Sequence, residues 1–115
     1  MSYDMDFWRY KPGVSSDNQA VYEALSAGQQ VEGLEDLPLP QILARLHEVL
    51  PGWKPTDEET WESDGRIFQI YTTPQFFRVD CYDLSEEEIN AIISALGEFG
   101  CPLYDPQVGK RFEGS

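Results

Sequence analysis

Residues Arg66 to Gly100 read RIFQIYTTPQFFRVDCYDLSEEEINAIISALGEFG, and this stretch decides the fold. Two runs rich in β-branched and aromatic residues, Arg66 to Thr72 and Phe76 to Tyr82, flank Thr73-Pro74-Gln75, a pattern that predicts a hairpin. Side chains alternate across a strand. Phe68 and Ile70 therefore share a buried face with Phe77, Val79 and Cys81, while Gln69, Tyr71, Arg78, Asp80 and Tyr82 fall on the opposite face. A helix follows. Ser85 is its N-cap, Glu88 completes a capping box, and Leu84 can staple onto Ile89. Glu86, Glu87 and Glu88 occupy the first turn, where the helix dipole favours negative charge. Ile89, Ile92, Ile93, Leu96 and Phe99 line its core side, and Gly100 ends it.

Working outward, Cys101 to Tyr104 reads as a short strand. Asp105 to Gly109 reads as a turn, with Lys110-Arg111-Phe112 as a short return. On the other side, residues 53–66 hold Trp53, Trp61 and a run of carboxylates, and close on the turn signal Ser63-Asp64-Gly65. Ile42, Leu43, Leu46, Val49 and Leu50 repeat at helical spacing after Leu37-Pro38-Leu39-Pro40, and Pro51-Gly52 stops that helix. Ser16 and Gln19 predict a capping box for a shorter helix with Val21, Ala24 and Leu25 on its apolar face. The first strand alternates, with Tyr3, Met5 and Phe7 on one side and Asp4, Asp6, Trp8 and Tyr10 on the other.

The predicted order is strand, helix, helix, strand, strand, helix, strand. Taken as a single domain over residues 1–115, this is an α+β protein with an antiparallel sheet and its helices on one face. If the two early helices form one bent crossover, the split βαβ (ferredoxin-like) arrangement satisfies the pattern, as other strand orders also do.

The chain has 115 residues, 21 of them acidic and 8 basic, for a formal net charge of −13. Such a surface repels phosphate backbones and anionic lipid, which argues against binding to nucleic acid or to a membrane surface. A hydrophobic fraction of 41% and an aromatic fraction of 13% exclude a disordered acidic tail. Folding a chain of this size hides roughly two-thirds of its unfolded surface, enough for one core. The acidic start Met1-Ser2-Tyr3-Asp4-Met5-Asp6 lacks the apolar region of a secretory leader, and no run approaches a membrane span. The expectation is a cytoplasmic protein in which Cys81 and Cys101 are reduced core residues rather than a disulfide or redox pair.

No nucleophile motif or phosphate-binding loop is present. His47, the single histidine, lies at the margin of the 42–50 stripe, and reads as a boundary residue in preference to a base partnered with Cys81. Asp4, Asp6 and Asp80 could converge on a hard cation if the first strand neighbours the hairpin. So could the run Asp57, Glu58, Glu59, Glu62, Asp64, although it fails the EF-hand pattern. A solvated acidic surface accounts for both groups, so no metal or cofactor is expected. The open sheet face would carry Asp4, Asp6, Trp8 and Tyr10 beside Tyr71, Arg78, Asp80 and Tyr82, and exposed aromatics of this kind anchor protein interfaces. Ordinary packing could equally cover that face.

In general character this small, acidic chain, with aromatics on a sheet face and no catalytic motif, resembles the immunity proteins of bacterial toxin systems. Its segment Gly100-Cys101-Pro102-Leu103-Tyr104-Asp105-Pro106-Gln107 is similar to endings of small bacterial proteins. The resemblance implies a non-enzymatic inhibitor that blocks a basic toxin. Its contacts would come from Asp4, Asp6, Trp8, Tyr10, Tyr71, Arg78, Asp80 and Tyr82, with Asp57, Glu58, Glu59 and Glu62 adding charge. Two other readings stand beside it: a carboxylate-based metal-binding domain or small enzyme, and a homodimer that buries the aromatic face on itself.

Overall fold

A computed structural model describes residues 3–106 and 110–112. The elements are β1 (Tyr3–Phe7), α1 (Asn18–Ser26), α2 (Leu39–Val49), β2 (Lys54–Pro55), β3 (Thr60–Ser63), β4 (Arg66–Thr73), β5 (Phe76–Cys81), α3 (Glu86–Glu98), β6 (Leu103–Asp105) and β7 (Lys110–Phe112). All seven strands join one antiparallel sheet in the order β2-β3-β4-β5-β1-β6-β7. The α+β class and antiparallel sheet are as the sequence predicts. The Cα radius of gyration, 13.6 Å, is close to the ~13 Å expected of a compact single domain of this length.

The hairpin forms with the expected faces. Phe68 pairs with Cys81, Ile70 with Val79 and Tyr71 with Arg78. Phe68, Ile70, Phe77, Val79 and Cys81 join Met5, Phe7 and Leu103 beneath α2 and α3, whose Ile42, Leu46, Ile92, Ala95 and Leu96 complete the main core. The capping box of α3 is present as predicted: Glu88 N–H donates to Ser85 Oγ, and Ser85 N–H donates to Glu88 Oε1 at 2.9 Å. Both cysteines are buried free thiols.

Three expectations change. The segment 53–66 is not only a loop: it contains β2 and β3, which extend the sheet beyond β4 through pairs such as Trp61 with Phe68. Ser63-Asp64-Gly65 is a tight turn, with φ of 49° at Asp64 and 79° at Gly65, a left-handed pair that glycine and aspartate tolerate. The cap of α1 is Asp17, which accepts from Gln19 N–H, so Ser16 does not open that helix. The third change bears on function. α2 and α3 share one face, but α1 packs on the other, where Val21 and Leu25 meet Trp8, Leu34, Phe76 and Tyr104. That second face is therefore half covered. With α1 there, and with β2, β3 and β7 extending the sheet, the ferredoxin-like arrangement is not established. Only Asp105 and Pro106 of the expected 105–109 turn lie within the described residues.

Candidate functional site

Antiparallel pairing of β1 with β5 places Asp4 opposite Asp80 and Asp6 opposite Arg78. Arg78 becomes the hub of the second face. Its Nε donates to Asp6 Oδ1 at 3.0 Å, its Nη2 donates to Ser26 Oγ at 2.6 Å, and Asp4 Oδ2 lies 3.8 Å from Nε. The guanidinium also lies over the rings of Phe76, Tyr22 and Tyr71 at 5.5, 5.6 and 6.0 Å. Together these contacts tie the last residue of α1 to the sheet centre. Tyr22 reinforces the tie by donating to Asp4 at 3.5 Å. Gly28, just past the helix, lets Tyr71 approach: a Cβ there would lie 3.3 Å from the tyrosine hydroxyl.

Asp6 is fully buried, and its Oδ2 accepts no hydrogen bond. Burial, reinforced by the neighbouring Asp4 carboxylate and only partly offset by Arg78, pushes its pKa up to about 8. Burial also raises the Asp80 carboxyl, with Arg78 pulling it down and Asp4 adding to the rise. The three aspartates thus converge as the strand pairing suggested, but with an arginine among them. Among the described residues no group of three or more His, Cys, Asp or Glu is arranged to hold a metal ion.

The aromatic part of the expectation is corrected. Trp8 is fully buried under α1, packed in a tilted arrangement on Tyr104 with ring centroids 5.1 Å apart, and offers no anchor. Tyr10 is half-buried and donates to Asn18 Oδ1 at 2.6 Å. Tyr104, which the sequence reading had not singled out, is buried in the same cluster and donates to Gln19 Oε1. What stays open lies beyond the C-terminal end of α1. A cleft of about 300 Å³ there is lined by Ser26, Glu59, Gln69, Tyr71, Arg78 and Asp80. Tyr82, 47% exposed, extends it and donates to Gln69 Oε1 at 3.3 Å. Glu62 is exposed on β3.

Asp57 and Glu58 belong elsewhere. They rim a second cleft of about 360 Å³, with Leu43, His47, Pro55, Trp61 and Ile70. Asp57 is first a turn-former: its Oδ1 accepts from Glu59 N–H and Thr60 N–H, both at 2.8 Å, and these bonds hold its carboxyl below the usual range. His47 is exposed and stacks on Trp61 at 4.5 Å, as a boundary residue would. Cys81 is buried, and burial with the charge of Asp80 pushes its thiol up to about 12, so it presents no thiolate at neutral pH.

No helix among the described residues is long and apolar enough to cross a membrane. Comparisons with protein-family models, curated proteins and solved structures found no match.

Proposed function

We propose that this protein is an immunity-type inhibitor, whose acidic surface occludes a basic toxin domain in the cytoplasm of the cell that makes it. One observation carries the reading. Arg9, Arg45, Arg66 and Arg78 each hold a carboxyl group of the same chain (Glu35, Glu98, Glu88 and Asp6), while Glu59 and Asp80 line the cleft on the uncovered part of the second face and Glu62 and Tyr82 are exposed. With these four arginines held by the chain's own carboxyl groups and a net charge of −13, the surface is acidic and attracts a cationic partner. An exposed tyrosine on such a surface supplies the amphipathic contact area that interfaces favour.

Co-expression with the product of the adjacent gene tests the reading. The expected result is relief of toxicity and a complex whose association slows about tenfold or more between low and high salt. Glu59→Lys with Glu62→Lys should weaken both without unfolding the protein. A neighbour whose toxicity persists and which forms no complex at low salt overturns the reading. Sedimentation addresses the competing occupant: a dimer of the isolated chain that Glu62→Lys dissociates would assign the surface to a second copy.

A further inference from the structure

The second cleft lies on the opposite side of the sheet from the surface just described, where α2 overhangs the β2–β3 hairpin. Its walls are the side chains of Leu43 and His47 from α2, Pro55 from β2, Trp61 from β3 and Ile70 from β4. His47 packs against Trp61 with ring centroids 4.5 Å apart and 36° between planes, which gives the cleft one aromatic side. The apolar walls end at a rim of two carboxylates, Asp57 and Glu58. Asp57 is locked in place by two backbone N–H groups, which also keep it ionised. Glu58 is exposed and has no ion-pair partner among the described residues. An apolar trough of about 360 Å³ is at the small end of ligand clefts, the scale of one long side chain rather than of a cofactor.

A trough with apolar walls and an anionic rim is complementary to a side chain with an apolar stem and a cationic head. We propose that this cleft takes one arginine side chain of the basic partner, its methylenes against Leu43, Pro55 and Ile70, its planar guanidinium beside the His47 ring and reaching Asp57 and Glu58. Charge complementarity selects this occupant. A neutral apolar side chain would leave both rim carboxylates unanswered, and an acidic one would be repelled by them. The proposal rests on the immunity-type reading for the identity of the partner, and it places a second contact on the α2 face.

The probe is the capped tripeptide acetyl-Gly-Arg-Gly-amide, titrated into the ¹⁵N-labelled full chain, with acetyl-Gly-norleucine-Gly-amide as the neutral counterpart. The arginine peptide should move the amide resonances of His47 and of residues 56–61, with an affinity in the millimolar range. The norleucine peptide should bind at least about threefold more weakly, on the scale of an exposed ion pair. Glu58→Lys should weaken the arginine peptide about three- to fivefold, and His47→Ala should do so to a similar degree. Glu58 and His47 are exposed, so both variants should fold, and unchanged amide spectra away from the cleft would show it. Equal binding of the two peptides, shifts that scatter over the acidic surface, or indifference to Glu58→Lys overturns the proposal. Because no toxin is used, a flat titration alongside intact protection in cells would remove this cleft and leave the immunity-type reading standing.

Discussion

Asp6 couples the stability of the protein to alkaline pH. Its folded pKa of about 8 lies above the ordinary 3.8, so between these values the folded chain holds a proton that the unfolded chain has released. The stabilisation from that proton is fully present below about pH 4 and is lost as pH rises through about 8, at up to ~1.4 kcal/mol per pH unit. Asp6→Asn mimics the protonated group: its Oδ1 can still accept from Arg78, and its amide can face Asp4. Urea midpoints at pH 5.5, 7 and 8.5 should fall for the parent and stay level for the variant; parallel slopes would remove Asp6 as the cause. Glu88 does the reverse. Desolvation raises its carboxyl, but bonds from Arg66, Ser85 N–H and the Trp53 indole outweigh this and hold it at about 2, below the usual 4.5. Its contribution is present above about pH 4.5 and lost as pH falls through 2. Glu88→Gln should destabilise at neutral pH by about 1–3 kcal/mol, because Arg66 and Trp53 lose a charged acceptor, and by little at pH 2. Chemical denaturation at the two pH values checks this.

Among the elements, α1 is held to the sheet by a few polar ties as well as by Val21 and Leu25. Ser26→Ala removes the Arg78 tie. Calorimetry should show a loss of about 1 kcal/mol, and hydrogen exchange should quicken in residues 18–26 before it does in α2 or α3. The β2–β3 hairpin depends on Asp57 in a similar way. Asp57→Ala removes the side-chain acceptor of two backbone N–H groups and loosens the turn, read as a lower thermal midpoint. Capping and alternation made β1, β4, β5, α2 and α3 legible, since each carries its own periodicity over five residues or more. β2 and β3 span two and four residues and were not legible. Their strand state comes from pairing outward from β4, with a proline at the edge that discourages further strand addition.

At the scale of the molecule, a net charge of −13 opposes compaction. Ion pairs such as Arg45 with Glu98 are exposed and contribute little, so screening should relieve more repulsion than it removes attraction. The thermal midpoint should therefore rise from 20 to about 500 mM sodium chloride, a range in which partner association should slow. A midpoint that falls with salt would mean that the ion pairs outweigh the repulsion. The two clefts lie on opposite faces of one sheet, so both could contact a partner only if it wraps the β2–β3 edge.

The sequence by itself determined the hairpin and its faces, the capped final helix and the acidic excess, because each is written in contacts a few residues apart or in composition. It also placed Asp4, Asp6 and Asp80 on one side of their strands. Tertiary structure alone decided which face α1 would cover. An apolar stripe such as Val21 and Leu25 shows that a helix must bury one side, but both faces of this sheet offer apolar partners, and the helix's own spacing cannot choose between them. That choice buried Trp8, covered the hydrogen bond from Arg78 to Asp6, and reduced the open face to the cleft lined by Glu59, Gln69, Tyr71 and Asp80 with the exposed Tyr82 beyond it.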